Sequence, residues 1–228
     1  MSSLCEYSDG ECEGTRLMSV IDLKLALRSE IHDFPEGIFG SASQLTNLDI
    51  AREWDTLIIA CSEQGAAPDQ ISFKTENRFA VLQHLAASIP SRAECATYEG
   101  LSCDEIEALF DKHEFRHVIV CGHLECGVIR NWLRPSKHDS RDVGGFRARF
   151  EAGTMSIVDQ HYVTHSYEQR VRLMICEHVL CQVENLITHP FVMDRVRIGA
   201  TSIHAWIMDD QTARVYGYHP VKNEFALL

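Results

Sequence analysis

The chain lacks any apolar stretch near the ~20 residues that a membrane-spanning helix requires. It is also short of cations: 21 Lys and Arg stand against 33 Asp and Glu, for a formal net charge of -12. Phosphate backbones are held by clustered Lys and Arg, so no nucleic-acid partner is expected, and the acidic excess is read as favouring solubility. Residues Met1 to Gly14 contain neither a basic n-region nor an apolar h-region. Their acidic residues also argue against a transit peptide, so the expected location is cytoplasmic. There is no internal repeat and no low-complexity tract. The nine cysteines are too dilute in 228 residues for a disulfide framework, and several lie inside apolar runs, which fits a reducing compartment.

What is present is enough apolar material, 45% of residues, to bury one full core. The pattern predicts a single α/β domain over residues 17–228 behind a flexible acidic tail, 1–16, with a mostly parallel central sheet flanked by helices. Val20, Leu23, Leu27 and Ile31 have helical spacing and predict a helical N-terminal arm over Leu17–Ile31. Pro35, Gly37 and Gly40 mark the following stretch as loop. Asp55–Cys61 and His117–His123 are short apolar runs rich in β-branched residues, read as buried parallel strands. Phe79–Leu82 reads as a further strand, cut short by Gln83 and His84. Ser102 with Glu105 forms a capping box opening a helix, and Pro135–Arg149 is a polar insertion. Val171, Met174, Ile175, Val179, Val183, Leu186 and Ile187 form the apolar stripe of a long helix that Pro190 stops, and its stripe is read as plain core. Cys121, Cys176 and Cys181 sit inside apolar patterns and are read as small hydrophobes.

Chemistry concentrates at two strand ends. Cys61 ends one run, and His123 and Cys126 end the other in Gly122-His-Leu-Glu-Cys-Gly127. Two thiolates and an imidazole are a three-ligand set for Zn2+ with one tetrahedral position open, as catalytic zinc requires. Two adjacent strand ends would present them in one crevice, the usual place for a site in an open α/β sheet. Glu125 is either a residue that orients a ligand from behind or, equally, a solvated loop carboxylate. His161 and His165 are spaced to share a helix face. His178 and His189 are read as hydrogen-bonded histidines of the C-terminal helical region.

These motifs resemble the β-class carbonic anhydrases, whose first strand ends C-S-D-S-R and whose second ends G-H-x-x-C-G. The likeness runs from near Trp54 to the end of the chain and implies antiparallel C-terminal edge strands after a late helix. It implies the zinc ligands Cys61, His123 and Cys126, reversible hydration of carbon dioxide to bicarbonate through zinc-bound hydroxide, and a crevice completed by a partner subunit in at least a homodimer. Where the family carries its Asp and Arg, this chain has Glu63 and Gly65. Where the family has its substrate-contacting Gln, it has Arg52. The R-N-x-G-N stretch reads Gln83-His84-Leu85-Ala86-Ala87. The resemblance therefore makes Glu63 and Arg52 the candidate catalytic residues and Gln83, His84, Gly65 and Gly127 the substrate pocket, with His84 a candidate proton shuttle.

The departures leave three readings open. Glu63 accepts the hydrogen bond that the family's Asp accepts, and the chain hydrates carbon dioxide. Alternatively, Glu63, one methylene longer and without its arginine restraint, coordinates the zinc and closes the site, leaving a zinc-stabilised binding or assembly protein. The third reading is hydrolysis of carbonyl sulfide or carbon disulfide. Arg52 either replaces the missing guanidinium, by restraining Glu63 or gripping bicarbonate in bidentate fashion, or is a solvated residue at a strand entrance.

Overall fold

The computed structural model describes residues 25–28, 30–41, 55–63, 79–97, 102–133 and 146–228. Arg52 and Gly65, the tail 1–16, most of the Leu17–Ile31 arm and nearly all of the 135–149 insertion lie outside the described residues. The elements run in the order β1 (Thr56–Cys61), β2 (Ala80–His84), α1 (Cys103–Lys112), β3 (His117–His123), α2 (Gly127–Leu133) and α3 (Phe146–Phe150). A π-helical turn at Glu151–Met155 follows, then α4 (Ser156–His161), α5 (Tyr167–Ile187), α6 (Pro190–Arg197), β4 (Ser202–Asp209), β5 (Arg214–His219) and β6 (Glu224–Leu227).

The six strands form one sheet in the order β2-β1-β3-β4-β5-β6, parallel from β2 to β4 and antiparallel from β4 to β6. Every residue of β1 and of β3 is buried, as the continuous apolar runs require of strands covered on both faces. Leu57, Ile59, Val118, Val120, Ile203 and Ala205 belong to the larger core, which includes the stripe of α5. Ile58, Ala60, Ile119, Cys121, Trp206 and Met208 form a second cluster. A Cβ at Gly122 would meet Val179 Cγ2 at 2.6 Å, so glycine is what allows α5 to lie directly against β3. The chain leaves β1 toward β2 and then crosses β1 to reach β3 and β4. The C-terminal ends of β1 and β3 therefore flank the point where the strand order reverses, the usual place for a site in an open α/β sheet.

Several expectations are corrected. Residues 25–28 and 30–31, the described end of the predicted helical arm, are not helical. They run along this chain's own C-terminal hairpin, where Leu27 N–H donates to Asn223 O (3.3 Å) and Asn223 Nδ2 donates to Leu27 O (2.7 Å). Strand β2 continues through Gln83 and His84 because pairing with β1 outweighs their polarity. An edge strand tolerates polar side chains, and Gln83 is exposed. His161 and His165 share no helix face, since α4 ends at His161. Pro190 does more than stop α5: it takes the first turn of α6, where its missing N–H costs nothing. One local bridge joins Cys95 to Cys103, which is short of a disulfide framework. The capping box at Ser102 and Glu105 forms as expected, Glu105 N–H donating to Ser102 Oγ (3.1 Å) and Ser102 N–H to Glu105 Oε2 (2.9 Å). Among the described residues, no helix is long and apolar enough to cross a membrane.

Candidate metal centre

Strands β1 and β3 pair in parallel register with Ala60 opposite Cys121, which brings Cys61 and His123 to the same end of the sheet. The tight turn after β3 then returns Cys126 to them at the head of α2. The donor atoms of Cys61, His123 and Cys126 all lie within 4.8 Å of one another, and all three residues are buried. The two sulfurs are 3.9 Å apart. Two thiolates each about 2.3 Å from one tetrahedral zinc stand about 3.8 Å apart, so the spacing already fits the ion. His123 Nε2 is buried with no hydrogen-bond partner among the described residues, an arrangement that a ligand bond would resolve. The donor set therefore fits zinc.

The histidine is held from behind by a residue that the sequence reading missed. His123 Nδ1 lies 2.9 and 3.1 Å from the two carboxylate oxygens of Asp210, and the backbone N–H of Glu125 donates to Asp210 Oδ2 at 2.9 Å. With Nδ1–H donated to a carboxylate, the Nε2 lone pair is left for a metal. Glu125, a candidate for this task from sequence, contributes its backbone only, and its side chain pairs with Arg130 on the surface. A signal for Asp210 did exist. Met208 pairs with His123 across the parallel β3–β4 ladder, so acidic residues just past the end of β4 fall beside the histidine.

The electrostatics of the three donors are strongly coupled. The hydrogen bond between the sulfurs, aided by His123 and opposed by burial, holds the Cys61 thiol down at about 4 and pushes that of Cys126 well up. The pair thus shares one proton, with Cys61 as thiolate. Burial alone would depress His123, but its bond to Asp210 and the negative charge of the nearby Cys61 thiolate outweigh that and raise it to about 9. Burial would raise Asp210, yet its bonds to His123 and the Glu125 N–H hold it below the ordinary carboxylate value.

Glu63 sits in the turn after β1, and its backbone N–H donates to Cys61 Sγ at 3.4 Å. Its carboxylate turns to the start of α2, where Val128 N–H donates to Oε2 at 3.0 Å. It is not part of the donor cluster. A Cβ at Gly127 would come within 3.0 Å of Oε2, so the carboxylate packs closely over the glycine. His84 ends β2 opposite Cys61 in register, and burial lowers its pKa against the opposing pull of Cys61 and Glu105. The backbone then turns through Ala86 (φ 54°) and Ala87 (φ 57°), a left-handed conformation that costs an L-residue about 1 kcal/mol or more. His178 of α5 braces that turn, with Nε2 3.1 Å from Ala86 O. Burial lowers His178 to about 4 and keeps it neutral.

This architecture matches solved structures. The structure of the β-carbonic anhydrase CcaA superposes with a TM-score of 0.69 over 82% of this chain and 88% of that one, at 24% identity. One of two tetrameric β-carbonic anhydrases from Sordaria macrospora gives a TM-score of 0.60 over 77% and 84%, at 15% identity. The family model described as carbonic anhydrase matches residues 56–215, more than two thirds of the chain.

The chain belongs to the β-carbonic anhydrase family.

A curated carbonic anhydrase from Synechococcus elongatus is 29% identical over 161 residues, which cover 70% of this chain and 58% of that protein's length. Cys61, His123 and Cys126, the ligands that the sequence resemblance implies, lie together at the ends of β1 and β3. Glu63, His84 and Gly127 surround them, while Gln83 is turned out on the sheet edge.

Proposed function

We propose that this chain is a zinc-dependent carbonic anhydrase that interconverts carbon dioxide and bicarbonate. The observation that carries this reading is the Cys61–His123–Cys126 triad, with its 3.9 Å sulfur separation and unpartnered His123 Nε2, at the strand-order reversal of a β-carbonic anhydrase fold. Zinc bound there would act as a Lewis acid that makes water nucleophilic near neutral pH. The remaining work falls to the chain's own side chains. Asp210 fixes the tautomer and ring plane of His123. Glu63, tethered by Val128 N–H, offers its second carboxylate oxygen as hydrogen-bond acceptor at the mouth of the site, the part played by Asp in the family. His84, kept neutral by burial, is able to take up a proton and pass it to solvent. Arg52 and Gly65 remain assigned by sequence position alone, Arg52 to a bicarbonate or Glu63 contact.

A pocket closed by Glu63 gains no support from a carboxylate anchored to the α2 backbone. Hydrolysis of carbonyl sulfide or carbon disulfide has no residue here to recommend it over the simpler substrate. We also propose assembly as a homodimer or higher homo-oligomer, in keeping with the tetrameric Sordaria relatives, and a single domain over residues 17–228. Metal analysis tests the site. Purified protein should hold close to one zinc per chain, and Cys61→Ser or Cys126→Ser should lose it together with stability, because binding energy here is also folding energy. Retention of full zinc by either variant would remove the assignment.

A further inference from the structure

A second set of soft donors lies away from the candidate metal centre, between the segment that follows β2 and the starts of α1 and α6. Cys95 follows the short 3-10 turn Arg92–Glu94, Cys103 is the first residue of α1, and His189 caps α6. Cys95 is half-buried, Cys103 buried and His189 fully so. In this state the two sulfurs are joined to each other, and a ring nitrogen of His189 lies within 4.8 Å of both.

The hydrogen bonding of His189 makes the cluster more than a chance neighbourhood. Its Nε2 is 2.8 Å from the carbonyl oxygen of Pro90, which can only accept, so Nε2 carries the hydrogen. In the neutral ring Nδ1 is then an unprotonated lone pair, and it is buried with no hydrogen-bond partner among the described residues. A buried acceptor left without a partner is costly, and its tautomer is already the one a metal ligand needs.

We propose that Cys95, Cys103 and His189 form a redox-gated site for a thiophilic divalent cation such as zinc, closed while the disulfide is intact and opened by its reduction. Reduction by a trialkylphosphine breaks the S–S bond. Two electrons pass from phosphorus to the sulfurs, water supplies the oxygen of the phosphine oxide, and two thiols result. Cation binding then releases their two protons to solvent, leaving two thiolates and Nδ1 as three tetrahedral ligands with the fourth position open to water. Cys103 is suited to the thiolate form because it starts a ten-residue helix, and half-exposed Cys95 gives the reductant and the ion a way in. The cation would take over the bridge's task of tying the segment after β2 to α1.

The test is a zinc count on the full chain by chelator competition and elemental analysis, with and without tris(carboxyethyl)phosphine. Reduction should raise the zinc content by one per chain. Cobalt(II) added to reduced protein should gain a sulfur-to-cobalt charge-transfer band. Cys95→Ser, at the half-exposed position, and His189→Gln should each abolish the increment while leaving the content of the unreduced protein unchanged. No increment on reduction, or one that persists in Cys95→Ser, would overturn the proposal. Because the reading is the difference between the two redox states, it stands or falls separately from the occupancy of the Cys61 site.

Discussion

Replacing Asp210 by Ala removes the carboxylate bonded to His123, and its effect can be sized from the contacts. His123 Nδ1 loses both oxygens, at 2.9 and 3.1 Å, and the Glu125 N–H loses its 2.9 Å acceptor. A hydrogen bond to a charged group contributes about 1.5–3 kcal/mol. Removing the partner behind a ligating histidine typically weakens metal binding about 10–100-fold, or about 1.4–2.8 kcal/mol, and the two ranges agree. Asp210→Ala should therefore raise the zinc Kd by one to two orders of magnitude. Asp210→Asn should fall between, since an amide retains one acceptor but cannot receive both His123 Nδ1–H and Glu125 N–H on the atoms that now accept them. Chelator-competition titration gives the Kd directly, and circular dichroism checks that the fold survives. If Asp210→Ala binds zinc within twofold of the wild type, the strand and turn alone position His123 and the argument from Asp210 is wrong.

The remaining predictions concern stability, packing and chemistry. Burial opposes charging of His32, but its contacts to Glu177 (2.6 Å) and Glu184 (2.8 Å) raise it from 6.5 to about 9, a difference of about 3 kcal/mol. Since the folded value is the higher one, that stability is complete below about pH 6.5 and disappears as pH rises through 9. Urea unfolding of wild type against His32→Gln should show a gap that narrows across this window, and a pH-independent gap would contradict it. Gly122→Ala would drive a Cβ to 2.6 Å from Val179 Cγ2, costing about 1–3 kcal/mol and several degrees of Tm by thermal denaturation. Glu63→Ala should remove most of the carbon dioxide hydration rate while zinc content holds. Activity that survives it would move proton handling to His84.

Much of this molecule was legible because its strongest signals are local. The runs Asp55–Cys61 and His117–His123 are apolar throughout because both faces of a central parallel strand are covered, and a ligand at each strand end follows from that geometry. Capping at Ser102 and the stripe of α5 were equally readable. The failures are those where tertiary contacts decide. Leu27 and Ile31 have helical spacing, yet their segment gains more by bonding to the hairpin around Asn223. Gln83 and His84 look like strand breakers, but β1 supplies a ladder that an edge strand can follow. Asp210 lies 87 residues from His123, and only the β3–β4 register brings them together. The left-handed Ala86–Ala87 turn carries no glycine to announce it and is held by His178, also distant in sequence.

The most direct test of the central claim is the initial rate of carbon dioxide hydration by stopped-flow with a pH indicator. The protein would be measured as purified, after zinc removal by dipicolinate, and after zinc is restored. A rate above the buffer background that disappears with the metal and returns with it is the expected result. Protein holding one zinc per chain that leaves the hydration rate at background would contradict the account.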